Sequence, residues 1–228
     1  MQSKTYGQIC PIARSLDVLG ERWTLLLVRE LLLGPKKFKD FLKVMPAMGP
    51  NRLSDRLKGL VDAGVATQTP PPGVAYALTE RGEQLRGPLL ALGLWGLGIP
   101  AAGQFGEKAV RAELIALSIS TLNKPERSRG MCFIHEFHVG TEVFHIRVDD
   151  GDMTVFSGKS IARADAVVRC DLESFVRLAA GLPVTDPESV RFETGTHAQI
   201  LQLFGLLEEP PHGVVQSLLA NNLNPKGV

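Results

Sequence analysis

The chain has 228 residues, 44% of them apolar, and a formal net charge of +1. That length is long for one small domain and suits two, with apolar residues enough for two cores. No run of roughly 18 uninterrupted apolar residues and no leader-like start is found, which excludes a membrane span and points to a cytoplasmic protein. The three cysteines, at 10, 132 and 170, form neither a zinc pattern nor a disulfide framework, so reduced thiols are expected.

In chain order, Cys10-Pro11 opens a helical pattern through Leu16 and Leu19 that stops at Gly20. Arg22-Trp23-Thr24 restarts it, and the apolar run to Leu32 before Gly34-Pro35 reads as a buried scaffold helix. A short helix from Lys36, Lys37 and Phe38 ends before Pro46. A longer one runs from Gly49-Pro50 to Ala63-Gly64, with Pro suited to its first turn and Gly to its stop. There, Leu53, Leu57, Leu60 and Val61 form one apolar stripe, and Asn51, Arg52, Ser54, Asp55, Arg56 and Lys58 occupy the other faces. Val65 to Leu78, interrupted by Pro70-Pro71-Pro72-Gly73, reads as a hairpin, and Thr79 caps a further helix.

Helix, turn, helix, wing is the order of a DNA-reading head. A leucine-backed helix offering amide, guanidinium and hydroxyl groups suits a major groove, where Arg forks onto guanine and Asn onto adenine. Lys36 and Lys37, at the start of the preceding helix, add positive charge. The charge distribution agrees: residues 1–100 hold 13 Lys and Arg against 8 Asp and Glu, residues 101–228 hold 12 against 16.

Cys10-Pro11, Gly20 with Trp23, the run Leu26 to Leu31, Asn51 to Leu57 leading to Leu60 and Gly64, and Tyr76 to Gly82 together resemble the HxlR-type winged-helix transcriptional regulators. The resemblance covers about residues 8–98. It implies a homodimer on a (pseudo)palindromic operator in double-stranded DNA, with residues 50–63 as recognition helix. It also implies that a cysteine at position 10 senses oxidants or electrophiles; packing at a helix entry is the alternative. The wing departs from the family's pattern, since Thr67 to Val74 holds no basic residue.

The apolar helix expected over 83–99 either closes the domain core or joins the first helix in a dimer interface. Pro100-Ala101-Ala102-Gly103 then marks a linker, dividing the chain into residues 1–100 and 101–228, and a helix is expected over 107–122.

Beyond it the period changes. Met131 to Val139 and Glu142 to Val148 read as a hairpin around Gly140-Thr141, followed by strands at Met153 to Phe156, Asp165 to Cys170 and Val190 to Glu193. Helices follow at Leu172 to Ala180, capped by Asp171, and at Ala198 to Leu207. The fold class expected is α+β, a winged helix-turn-helix followed by an antiparallel sheet covered by helices. The order Val148, Gly151, Gly158, Ala164 to Arg169, Phe175, Gly181 and Val190 to Gly195 resembles a sterol carrier protein type 2-like domain. That resemblance implies an apolar pocket for a hydrophobic small-molecule effector, with Phe175, Leu178, Leu203, Phe204 and Leu207 as lining; ordinary core explains the same residues.

His135 and His138 fall on opposite faces of a strand, and His135 with His145 lacks a third ligand, so polar-face histidines are expected and no metal. Ser54, Ser118, Ser174 and Ser217 lack a nucleophile's setting, and no phosphate loop follows a strand. A regulator without cofactor, enzymatic activity or membrane partner is the reading. The other is a carrier of hydrophobic ligands whose winged helix makes protein contacts.

Overall fold

The computed structural model describes residues 5–71, 73–96 and 110–208 and divides into two compact units, Met1–Leu90 and Ala91–Val228. The linker expected at 100–103, the helix start at Glu107 and the end of the apolar helix at 97–99 lie outside the described residues.

In the first unit α1 (Pro11–Leu19), α2 (Thr24–Leu32), α3 (Phe38–Val44) and α4 (Pro50–Asp62) precede the hairpin β1 (Ala66–Gln68) and β2 (Tyr76–Leu78). Then come α5 (Glu80–Glu83) and α6 (Arg86–Gly96), which crosses the division between the units. Leu27, Val28 and Leu31 of α2 meet Phe41, Met48 and the α4 stripe Leu53, Leu57 and Leu60 in one core. Such burial is the main source of stability for these short helices, since isolated helices of this length are marginal in water. Thr79 caps α5: its Oγ1 accepts from the Gly82 N–H at 3.1 Å and donates to the Gly64 carbonyl at 2.7 Å. Gly82 is required by close approach, because a Cβ there would stand 2.1 Å from the Val65 carbonyl oxygen. In α6, Leu85, just before its first turn, and Leu89 pack on the core, while Leu92 and Trp95 remain exposed.

The second unit opens with α7 (Ala112–Ile119) and α8 (Pro125–Ser128), the latter unforeseen in the sequence. The meander β3 (Cys132–Val139), β4 (Glu142–Asp149) and β5 (Asp152–Ser157) follows, then β6 (Ala166–Cys170), α9 (Leu172–Ala179), β7 (Arg191–Thr194) and α10 (His197–Gly205). The sheet order is β5-β4-β3-β6-β7. It corrects the expectation of an antiparallel sheet, because β6 enters beside β3 in parallel, setting His135, Phe137 and Val139 opposite Ala166, Val168 and Cys170. A parallel pair at the centre of a sheet calls for cover on both faces. On one face lie Phe137, Phe144, Val155 and Val168, buried with Phe175 and Phe204 of the helices. On the other, the connection after β5 reaches Glu136, whose carboxylate accepts from the Ser160 N–H at 3.0 Å.

A second expectation is corrected too. His135 and His138 are both buried rather than displayed on a polar face. His138 Nε2 lies 2.7 Å from Glu136 Oε1, and His135 stacks on Phe133 with ring centroids 4.5 Å apart. The register pairs His145 with Glu136, so His135 and His145 sit on opposite faces and cannot share a ligand.

The five residues expected to wall a pocket all lie in the core of the second unit. Phe175, Leu178, Leu203, Phe204 and Leu207 are buried, and Phe175 meets Phe137, Phe144 and Phe204 with centroids 5.5, 5.3 and 6.1 Å apart. Rings at these distances are in direct edge-to-face packing, as in an ordinary core.

Candidate nucleic-acid interface

The site is built on α4. Its leucines at 53, 57 and 60 fix the helix by one side, which commits Asn51, Arg52, Ser54, Asp55 and Lys58 to solvent. The connection from α3 to α4 runs through a 3-10 turn at Pro46–Met48 and Gly49. Gly49 has φ +75°, a conformation costly for residues with a Cβ, and so sets the angle at which α4 leaves. Together α3, turn and α4 form a helix-turn-helix whose second helix presents hydrogen-bonding groups that can reach base edges.

Two of the expected contacts are corrected by position. Arg56 lies just before Leu57 and one turn before Leu60, so it flanks the buried stripe instead of opposing it. Its Nη2 stands 3.3 Å from Glu21 Oε2, bracing α4 against the connection between α1 and α2. Lys36 is buried, because its backbone pairs with Tyr76 of the wing, donating at 2.9 Å and accepting at 2.8 Å. Its ammonium faces the buried Glu30 carboxylate at 3.9 Å.

Lys37 stays exposed at the start of α3, and Lys39 and Lys43 join it on that helix. The sequence reading passed over these two, although their spacing of four placed them on one face. Lys58 donates to Asp62 at 2.7 Å, and this hydrogen bond, with the Asp62 charge, holds its pKa above the ordinary lysine value. It stays cationic. In the wing, Gln68 pairs with Tyr76 across the strands, and no Lys or Arg stands between Thr67 and Val74, so hydroxyl, amide and backbone groups are all it offers a phosphate.

Cys10 and Cys132 are exposed and Cys170 is buried. Burial, then the neighbouring Asp171 charge, push the Cys170 thiol up to about 12. Among the described residues no group of three metal-binding side chains comes together, and no helix is long and apolar enough to cross a membrane.

Comparison with known proteins bears directly on the first unit. A model of the HxlR-like helix-turn-helix family matches residues 18–100. An uncharacterized HTH-type transcriptional regulator of Synechocystis is 33% identical over 90 residues, which are 38% of this chain and 67% of that protein. A second, from Mycobacterium tuberculosis H37Rv, is 36% identical over 89 residues, spanning 37% of this chain and 56% of its own length. The regulator YodB of Bacillus subtilis is 34% identical over 93 residues, 38% of this chain and 82% of that protein. The solved structure of its quinone-bound form, 31% identical, covers 38% of this chain and 97% of that one with a TM-score of 0.36. These relatives are named as regulators of transcription, not as enzymes.

Proposed function

Because the chain belongs to the HxlR-like helix-turn-helix family, we propose that it is a cytoplasmic homodimeric transcriptional regulator binding a (pseudo)palindromic operator through α4. The observation that carries this reading is the leucine-anchored helix with Asn51, Arg52, Ser54, Asp55 and Lys58 exposed. Arg52 and Asn51 read bases, Ser54 and Lys58 take base or phosphate, and Asp55 accepts from a cytosine amino group. Lys37 supplies backbone contact from α3. Footprinting on the DNA upstream of its own reading frame tests the proposal: protection of two half-sites about one helical turn apart supports it, and binding without sequence preference refutes it.

The dimer surface we assign to α1, which exposes two large apolar side chains, Ile12 and Leu16. By analogy with the quinone-bound form of YodB, Cys10 is proposed as a thiol that responds to electrophiles. Its exposure supports this. Benzoquinone should then change operator affinity in the wild type and not in Cys10→Ser; an equal response in both rejects it.

For the second unit we propose a sterol carrier-like architecture, supported by a five-stranded mixed sheet with α9 and α10 against one face. Its aromatic packing favours a contribution to assembly over uptake of a hydrophobic effector among those rings. A melting temperature raised by palmitate, and lost in Phe175→Asp without unfolding, would reverse that preference.

A further inference from the structure

We infer that the first unit carries a binding site for a small monoanion with an apolar body, such as an aromatic carboxylate, where α1 meets the start of β1 and α5. A cavity of about 420 Å³ opens there, within the range of small-ligand sites, roughly 300–1,000 Å³. Val18 and Leu19 of α1, with Val65 and Leu85, supply its apolar lining. Arg14 and Arg81, both exposed, line the same cavity, and neither has an ion-pair partner among the described residues.

Charge at the site is therefore not balanced: two arginines face one carboxylate, which leaves one net positive charge. Asp17, the one carboxylate lining the cavity, is engaged by the N-terminal arm: Oδ2 accepts from Thr5 Oγ1 at 3.0 Å and Oδ1 from the Tyr6 N–H at 2.8 Å. A neutral apolar ligand would satisfy the aliphatic lining and leave that positive charge unmet. A bare inorganic anion would do the reverse. An aryl or branched-alkyl carboxylate satisfies both, because a guanidinium takes a carboxylate through two parallel hydrogen bonds.

Apart from Leu19, which follows Leu16 by one turn, the α1 residues of the site lie off its apolar stripe. Arg14 and Val18 stand one turn apart along one side of the helix, whereas Ile12 and Leu16 define another and are exposed. A ligand here would touch Val65, whose carbonyl accepts from the Thr79 N–H at 3.0 Å at the root of the wing. It would thus bridge α1 to the segment that follows α4.

Direct binding to the full chain tests the site without relying on DNA recognition. Benzoate is the probe, followed by calorimetry, with benzamide as the neutral analogue of the same shape. We expect saturable binding of one benzoate per chain, with benzamide at least about tenfold weaker, a factor worth ~1.4 kcal/mol. Arg14→Gln and Arg81→Gln should each weaken benzoate several-fold, and the double variant should abolish binding, while Arg129→Gln, at an exposed cation of the second unit, changes nothing. Thermal melts of each variant report whether it remains folded. Equal affinity for benzoate and benzamide, undiminished binding to the folded double variant, or no binding up to about 20 mM, weaker than any useful small-ligand affinity, would each overturn the inference.

Discussion

His135 shows how one side chain couples the fold to pH. It is 2% exposed, and its Nδ1 has no hydrogen-bond partner among the described residues. Burial lowers its pKa to about 4 against an opposing pull from Asp165. The neutral ring is thus the native form, and the unfolded chain takes up the proton first as pH falls. Stability from this group is complete above the unfolded value of 6.5 and declines between 6.5 and about 4, by at most about 3 kcal/mol. Below that window the folded ring protonates too and the loss levels off. We expect His135→Phe, which preserves stacking on Phe133, to flatten the slope of urea stability across that window. An unchanged slope would place the acid sensitivity elsewhere. The thiols obey the same logic of burial. Cys170, raised to about 12, should resist a disulfide reagent in the native state at pH 8, while the exposed Cys10 and Cys132 react. Three equivalents of rapid native reaction would contradict this, and the count should rise from two to three in denaturant.

Among elements, α4 was the most legible and also the most instructive in its exceptions. Leucines at the helical period announced which side is buried, and the structure buries Leu53, Leu57 and Leu60. Periodicity does not reveal what meets the flank, so Arg56 read as a groove contact until Glu21 appeared beside it. We expect Arg52→Ala to cost about 1–3 kcal/mol in operator affinity and little in stability. Arg56→Ala should instead cost roughly 0–1 kcal/mol in stability, as should Glu21→Ala, because the pair is only partly buried and is screened by solvent. Gel shifts at fixed salt, with urea melts of the same proteins, separate the two; equal effects on DNA binding would return Arg56 to the reading face. Lys36 was misplaced for a related reason: its burial comes from backbone pairing with Tyr76, a long-range contact that no local pattern encodes. Strands of the second unit were visible in their alternation, yet partner choice was not. The parallel entry of β6 beside β3 depends on a crossover whose cover of Glu136 is a tertiary event.

At the scale of the molecule, two units could be expected from length and from the change of hydrophobic period, and charge separates along the chain in the same sense. Residues 1–100 carry the excess of Lys and Arg, and residues 101–228 the excess of Asp and Glu. A phosphate backbone therefore attracts one half of the chain and repels the other, which orients approach before any base is read. Orientation alone gives a single weak half-site contact. On the proposed reading, specific affinity then depends on a second α4 linked to the first, since joining two half-site interactions makes the second one intramolecular. Ile12 at 71% and Leu16 at 41% exposure, one turn apart on α1, are costly to leave in water and suit burial against a second copy. Replacing both by Glu should yield a monomer in sedimentation at micromolar concentration, with its fold and its benzoate cavity intact. Operator affinity should fall by at least about a hundredfold, the usual scale of such linkage. Binding to a single half-site should barely change. If the double variant still sediments as a dimer, or binds the full operator as tightly as before, the α1 stripe is not the surface through which two copies read DNA.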